Sequence, residues 1–303
     1  MSKVYVFTDY GGPETQQLID RPVPEPGHEE LAIEVRAAGV NPADWKMREG
    51  RLGRKWSLPA PMGREAAGVV IAVGDGIEGF AVGDEVLGLV APGQGGLAEH
   101  TLLSASTAVA KPEEISFIDA ATIPVAAAAA YDATHQIELE PGQTLLLLGA
   151  GGGVGLTAAQ IGRVHEFTVL GVAGAAKRGL VESAGAVFIE SGSGVADRVR
   201  EVAPKGVDLI VDLVGGDVLR AVADLVADPV RIISAADPDV AVELGGRALA
   251  RTSEAMGKIT EVIQYGLVDP HADTQYDLND AGQAIAAVET GHAAGKVVVV
   301  PEG

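Results

Sequence analysis

Cysteine is absent from the 303 residues, which excludes disulfides, Fe–S clusters, thiol catalysis and cysteine-rich zinc sites together. Aromatic residues are scarce at 4%, and Trp45 and Trp56 are the only tryptophans. Basic residues are also few. The 22 Lys and Arg stand against 42 Asp and Glu, a formal charge of −20, which argues against a nucleic-acid partner. Such a field repels anions at long range, so a phosphate-bearing cofactor has to be held by local donors. No uninterrupted apolar run reaches membrane-spanning length, and the opening MSKVYVFTDYGG lacks the charged and then apolar stretch of a signal peptide. A soluble, cytoplasmic protein with no membrane partner is expected.

What remains is ordinary globular composition, 47% hydrophobic and 21% charged, with glycine in excess at 40 residues. The length exceeds what one hydrophobic core usually organises. The first 110 residues hold short β-rich runs at 3–7, 31–37, 67–73 and 85–89, separated by turn-forming RPVPEPG, VGDGIEGFAVGD and APGQGG. They predict a mainly antiparallel, barrel-like β domain. After Ser116 an alanine-rich stretch beginning near Pro124 predicts a helix that serves as hinge or bridge. Strands are then predicted over 144–149, 167–172, 186–189, 207–213 and 230–234, with helices over 154–165, 177–184, 195–202 and 218–227. That alternation predicts a parallel, doubly wound α/β sheet. A last helix from about Met256 and the strand-like GKVVVVP follow.

LLLLGAGGGVGLTAAQIG sets an apolar strand before Gly149 and the run Ala150, Gly151, Gly152, Gly153, Val154 and Gly155, and a helix after it. Glycines there let backbone approach a pyrophosphate, while the amides and dipole of the helix N-terminus stabilise its charge. A purely structural turn is the other reading of those glycines. The second strand ends VLGVAGAAKR. Ala173 and Gly174 stand where NAD-specific proteins carry an acid, and Lys177 and Arg178 follow, so a 2′-phosphate finds room and positive charge; NADPH is therefore preferred over NADH. Alternatively the two cations only solvate the start of a helix. Val214 and Ser234, at the ends of the next strands, are counted with the cofactor site.

AAGVNPADWK at 37–46, GREAAGVVIAVG at 63–74, GFAVGDEVLG, the AGGGVG loop and the terminal GKVVVV occur in order along the chain. With them the chain resembles the zinc-independent quinone oxidoreductase branch of the medium-chain dehydrogenase/reductase superfamily over nearly its whole length. The resemblance implies a GroES-like catalytic domain made from both chain ends (1–118 and 257–303), a central Rossmann NADP(H)-binding domain (119–256), an NADPH-holding cleft and a homodimer. Zinc-dependent relatives use Cys and His near the positions of Asn41 and Arg64, so no metal is expected here. Glu65 matches a family acidic position and is expected to serve structure, paired with a basic neighbour.

The resemblance also puts Asn41 and Asp44 beside nicotinamide and substrate, Asn41 offering its amide to the cofactor or a carbonyl oxygen; turn chemistry around Pro42 is the other reading of both. Reduction of a quinone or enone leaves negative charge on oxygen, for which Lys46 is a candidate cation. Lys46, Arg48, Arg51, Arg54 and Lys55 crowd ten residues. They read either as a solvated basic loop or as an attractor for an acidic or phosphate-bearing substrate. Trp45 and Trp56 offer either an apolar wall or core packing. Where relatives commonly carry a threonine facing the carboxamide, this chain has Ala129, with Tyr131 nearby. The function expected is an NADPH-dependent reductase of a quinone or an α,β-unsaturated carbonyl small molecule, acidic or carrier-bound substrates included. Carbonyl reduction and a noncatalytic NADPH sensor or scaffold are the alternatives.

Overall fold

Short apolar runs cut by glycine and proline fold as strands from the start of the chain. The computed structural model describes residues 1–291 and 293–301. The chain divides into one unit formed by Met1–Val125 and the segment from His271 onward, and a second formed by Ala126–Pro270.

In the first unit β1 (Ser2–Phe7) pairs antiparallel with β2 (Gln16–Arg21). The long β3 (Glu30–Val40) leads directly into α1 (Pro42–Arg48), and β4 (Ala60–Pro61) closes the other edge of β1. β5 (Glu65–Val73), β6 (Glu85–Leu89), β7 (His100–Ser104), β8 (Val109–Ala110) and the short α2 (Phe117–Ala120) follow. β3 is the organising strand, antiparallel to both β5 and β7, with irregularities in its β5 pairing at Ala32/Ile33 and Val35/Ala37.

In the second unit α3 (Ala128–His135) precedes β9 (Thr144–Leu148), α4 (Gly153–Val164), β10 (Thr168–Ala173), α5 (Arg178–Ser183), β11 (Val187–Glu190), α6 (Val195–Val202) and β12 (Leu209–Asp212). α7 (Gly216–Val222), β13 (Ile232–Ser234), α8 (Pro238–Glu243), β14 (Arg247–Ala248) and α9 (Ala255–Gln264) complete it. All six strands are parallel, in the order β11-β10-β9-β12-β13-β14. This is the Rossmann order, with its reversal between β9 and β12. β9 is central, which is why TLLLL reads as an unbroken apolar run: Leu145 to Leu148 are all fully buried. Leu146, Leu148, Leu170, Val172, Ile210 and Ile232 share one core with α6 and α7.

The chain then returns to the first unit through β15 (Thr274–Asp277), α10 (Ala281–Glu289) and β16 (Val297–Val300). β16 lies antiparallel on β3, Val297 opposite Val40. Phe7, Leu31, Ile33, Met47, Met62, Leu97, Ile285 and Val297 fill the core between the sheets and α10.

Most expected elements fall within two residues of their observed bounds, although β3 runs three residues past its expected end at 37. The helix expected to reach 227 stops at Val222, and the strand expected from 207 starts at Leu209. Val207 and Val226 form an isolated parallel bridge, with the Val207 amide on the Leu225 carbonyl at 2.8 Å, which takes Val226 out of the helix. Among the described residues no helix is long and apolar enough to cross a membrane.

Candidate functional site

The turn from β9 to α4 is built by backbone approach. Gly149 has φ +85°, and a Cβ on Gly155 would collide with the Gly149 carbonyl oxygen and lie 2.6 Å from Ala150 Cα. Only glycine at 155 lets α4 start this close to the strand end. The first helical bond runs from the Leu156 amide to the Gly152 oxygen at 2.9 Å. Gly152, the N-cap, has no side chain to satisfy the amides of Gly153, Val154 and Gly155 ahead of it.

Beside this turn lies a cavity of about 280 Å³ at the C-terminal ends of β9 and β10. Gly151, Gly152, Ala173, Gly174, Lys177 and Val214 line it, together with Ser191 and Gly192 and no acidic residue. The Lys177 stem lies so close to Gly151 that a Cβ there would sit 2.5 Å from Lys177 Cδ. Burial pulls the Lys177 ammonium below the usual lysine pKa, as expected for a cation held against backbone. Open space adjoins Gly174, where a Cβ would meet nothing within 4 Å. A diphosphate with a phosphorylated ribose therefore fits: unsatisfied amides, room and one cation.

The other residues expected at this site have different surroundings. Ala150 is buried under the turn. Arg178 pairs with Glu182 at 3.3 Å and lies 4.2 Å over the Phe188 ring. Ser234 is fully buried and donates to Asp212 Oδ2 at 2.6 Å, while Asp212 Oδ1 accepts the amides of Val214 and Gly215 at 3.0 and 2.8 Å. Thus Ser234 and Asp212 shape the turn that presents Val214. Ser191 and Gly192 were not anticipated; their signal is the ESGSG turn after β11, a third strand end beside the glycine loop.

In the first unit Asn41, Asp44 and Glu65 form one buried cluster, and Lys296 of the GKVVVV run completes it. The Lys296 ammonium donates to Glu65 Oε1 and Asn41 Oδ1, each at 2.7 Å, and to the Val40 carbonyl at 2.9 Å. Asn41 Nδ2 donates to the same Glu65 oxygen at 2.7 Å and makes a long 3.5 Å contact to the Gly39 oxygen. Glu65 Oε2 takes the Val125 amide at 2.7 Å. Gly39 makes room: a Cβ there would strike Glu65 Oε1 and come within 2.6 Å of the Ala121 oxygen. Asp44 accepts the amides of Asn41 at 2.8 Å and Gly63 at 3.2 Å. Burial nevertheless pushes its carboxyl up to about 6, against the lowering effect of those amides and of Lys296.

A metal does not fit this cluster. With no cysteine in the chain, the carboxylate that would serve as a ligand is already bound by an ammonium, an amide side chain and a backbone N–H. Among the described residues no three His, Cys, Asp or Glu are grouped to hold a metal ion; His292 lies outside those residues. His135 instead stacks on Tyr131 at 3.9 Å and meets the edge of His165 at 5.0 Å. Ala129 is buried in α3.

The basic segment is not uniformly solvated. Arg48 is fully buried, donating to the Gly11 oxygen and pairing with Glu289 at 2.8 Å. Arg51 pairs with Glu49 at 2.6 Å and covers Trp45, and Arg54 covers Tyr10. Lys46, half-buried on α1, has its ammonium 5.8 Å from the Trp45 ring centre.

Residues 27–113 match the alcohol dehydrogenase GroES-like domain, and residues 185–299 match the zinc-binding dehydrogenase family. The chain is 33% identical over 273 residues to quinone oxidoreductase of Rattus norvegicus, covering 88% of this chain and 80% of that protein. It is 30% identical over 312 residues to 2-methylene-furan-3-one reductase of Solanum lycopersicum, covering 99% and 79%. A mycobacterial protein solved in complex with NADPH superposes with a TM-score of 0.86 at 28% identity, covering 99% and 100% of the two chains.

Proposed function

The chain belongs to the quinone oxidoreductase branch of the medium-chain dehydrogenase/reductase superfamily and is an oxidoreductase, and on that premise we propose that it is an NADPH-dependent, zinc-free reductase of a quinone or an α,β-unsaturated carbonyl compound. The observation that carries the cofactor assignment is the β9–α4 cavity, with Lys177 on its wall and no acid. The NADPH complex of the mycobacterial relative supports it, and the tomato furanone reductase and rat quinone oxidoreductase support the acceptor class.

When bound, NADPH supplies the hydride. The amides of Gly153, Val154 and Gly155 hold its diphosphate at the N-terminus of α4. Lys177 neutralises the 2′-phosphate, and Arg178 adds charge at the rim. Gly151, Gly152, Ala173, Gly174 and Val214 shape the walls, and Ser234 keeps Val214 in place through Asp212. Asn41 is held rigid from both ends of its amide, and its second N–H, in only a long contact with Gly39, is the donor offered to an acceptor oxygen. Lys296 on Asn41 Oδ1 polarises that amide and strengthens the donor. Asp44 fixes the Asn41 and Gly63 backbone, and Lys46 supplies positive potential from α1. The working form is taken to be a cytoplasmic homodimer, testable by sedimentation.

Titration with NADPH and NADH, followed by stoichiometric NADPH oxidation with quinones, enones and enoyl thioesters, tests the assignment. Product analysis separates addition to C=C from addition to C=O. A folded, NADPH-saturated protein that reduces none of these acceptors overturns it.

A further inference from the structure

A second cavity, of about 600 Å³, lies wholly within the first unit, walled by residues 55–57, 59–61, 63–64 and 90–94 and by Met47. Its volume falls in the range of small-molecule sites. Met47, Trp56, Pro61 and Pro92 give apolar walls, and the cations Lys55 and Arg64 stand on its lining with no Asp or Glu among the lining residues. In a chain of 42 acids and net charge −20, an acid-free wall with two cations is a local reversal of the field. Of the neighbouring cations Arg48 pairs with Glu289 and Arg51 with Glu49, whereas Lys46, Arg54, Lys55 and Arg64 form no ion pair among the described residues, and of these four only Lys55 and Arg64 line the cavity. Lys55 Nζ instead lies 5.1 Å from the Trp56 ring centre. Gln94 accepts from Arg21 Nη1 through its Oε1 at 3.0 Å, so its NH₂ remains as a neutral donor on the same lining.

We propose that this cavity is an anion-recognising subsite for a planar apolar molecule bearing one carboxylate, with Arg64 and Lys55 receiving the charge and Trp56 and the prolines receiving the flat body. As the place where this reductase holds its acceptor, the subsite rests on the function proposed above; as a binding site it stands on the cavity alone. It narrows the acceptor class to conjugated or aromatic acids. A neutral quinone leaves both cations unpaired, whereas a carboxylate gives Arg64 a two-pronged partner.

Calorimetry on the full chain with 2-naphthoate and its neutral amide, 2-naphthamide, tests this without turnover. The acid binds about tenfold tighter than the amide at low salt, and the difference shrinks between about 0.02 and about 0.5 M salt. Arg64→Gln loses about tenfold for the acid and nothing for the amide, Arg64→Lys recovers part, and Lys177→Ala, in the other cavity, changes neither. Equal affinity for acid and amide, acid binding indifferent to both Arg64→Gln and Lys55→Gln, or loss of the preference in Lys177→Ala each overturns the subsite. A protein that reduces neutral quinones without this preference refutes the subsite and leaves the reductase standing. One that shows the preference yet reduces nothing does the reverse.

Discussion

Lys296 and Glu65, 231 residues apart in the chain, meet at 2.7 Å with both side chains almost wholly out of solvent. A buried pair of this kind adds little over apolar packing, but removing one partner strands the other. Lys296→Met is therefore expected to lower stability by about 3–5 kcal/mol. Lys296→Met with Glu65→Gln should recover at least half of that loss, because Gln still accepts the Val125 amide. Urea unfolding of the first unit, followed by near-UV circular dichroism, reads both; a double variant no more stable than Lys296→Met rules out the stranded charge.

Asp44 gives a pH dependence of defined sign. Its carboxyl is raised to about 6 from a reference of 3.8, so between those values the folded protein binds a proton that the unfolded chain does not. This contribution is present below the unfolded value and is lost as pH rises through the folded one, at about 1.4 kcal/mol per pH unit within the window. The stability of the native protein relative to Asp44→Asn should fall by about 1 kcal/mol between pH 5 and pH 7.5. A difference that stays flat, or rises, over that range refutes the shift.

Lys177 should discriminate between cofactors. Lys177→Ala is expected to weaken NADPH by about tenfold or more while leaving NADH within about twofold, since only the phosphorylated ribose loses a charged partner. Fluorescence titration of both nucleotides checks this, and equal losses remove Lys177 from the phosphate site.

Asp212 holds three donors at once, the amides of Val214 and Gly215 and the Ser234 hydroxyl. Asp212→Ala leaves all three without that acceptor, the Gly215 amide and the Ser234 hydroxyl in a buried setting, so a loss of about 2–4 kcal/mol is expected, with weaker NADPH binding through a loosened Val214 turn. Ser234→Ala removes only one donor and should cost about 1 kcal/mol. Thermal unfolding with and without NADPH separates the two effects.

How much of this is written locally in the chain varies with the range of the contact. The β9–α4 turn is legible because strand, glycines and helix are consecutive, and the parallel sheet because each buried strand is a continuous apolar run. β2 and β15 are not legible in the same way: QQLIDR and TQYD leave their side chains half wet, so the apolar alternation that marks a strand is weak. Lys296 hides in a strand-like run since nothing nearby tells that its partner is Glu65. Arg48 reads as one more cation of a basic segment because Glu289, which decides its burial, lies 241 residues on. Ser191 and Gly192 escape for a related reason: the order of strands, rather than any motif, brings the third strand end to the glycine loop.

The pairing of β16 with β3 has a consequence for biosynthesis. At about 5–20 residues per second the ribosome emits the whole nucleotide-binding sheet, over roughly ten to thirty seconds, before it supplies the strand that pairs with the Ala38–Val40 end of β3. The nascent β-rich half waits with an apolar ledge uncapped and Glu65 without its counter-ion, and is open to chaperones or to adhesion between polysomes. Maturation of the half that is begun first therefore waits until β16 has been made.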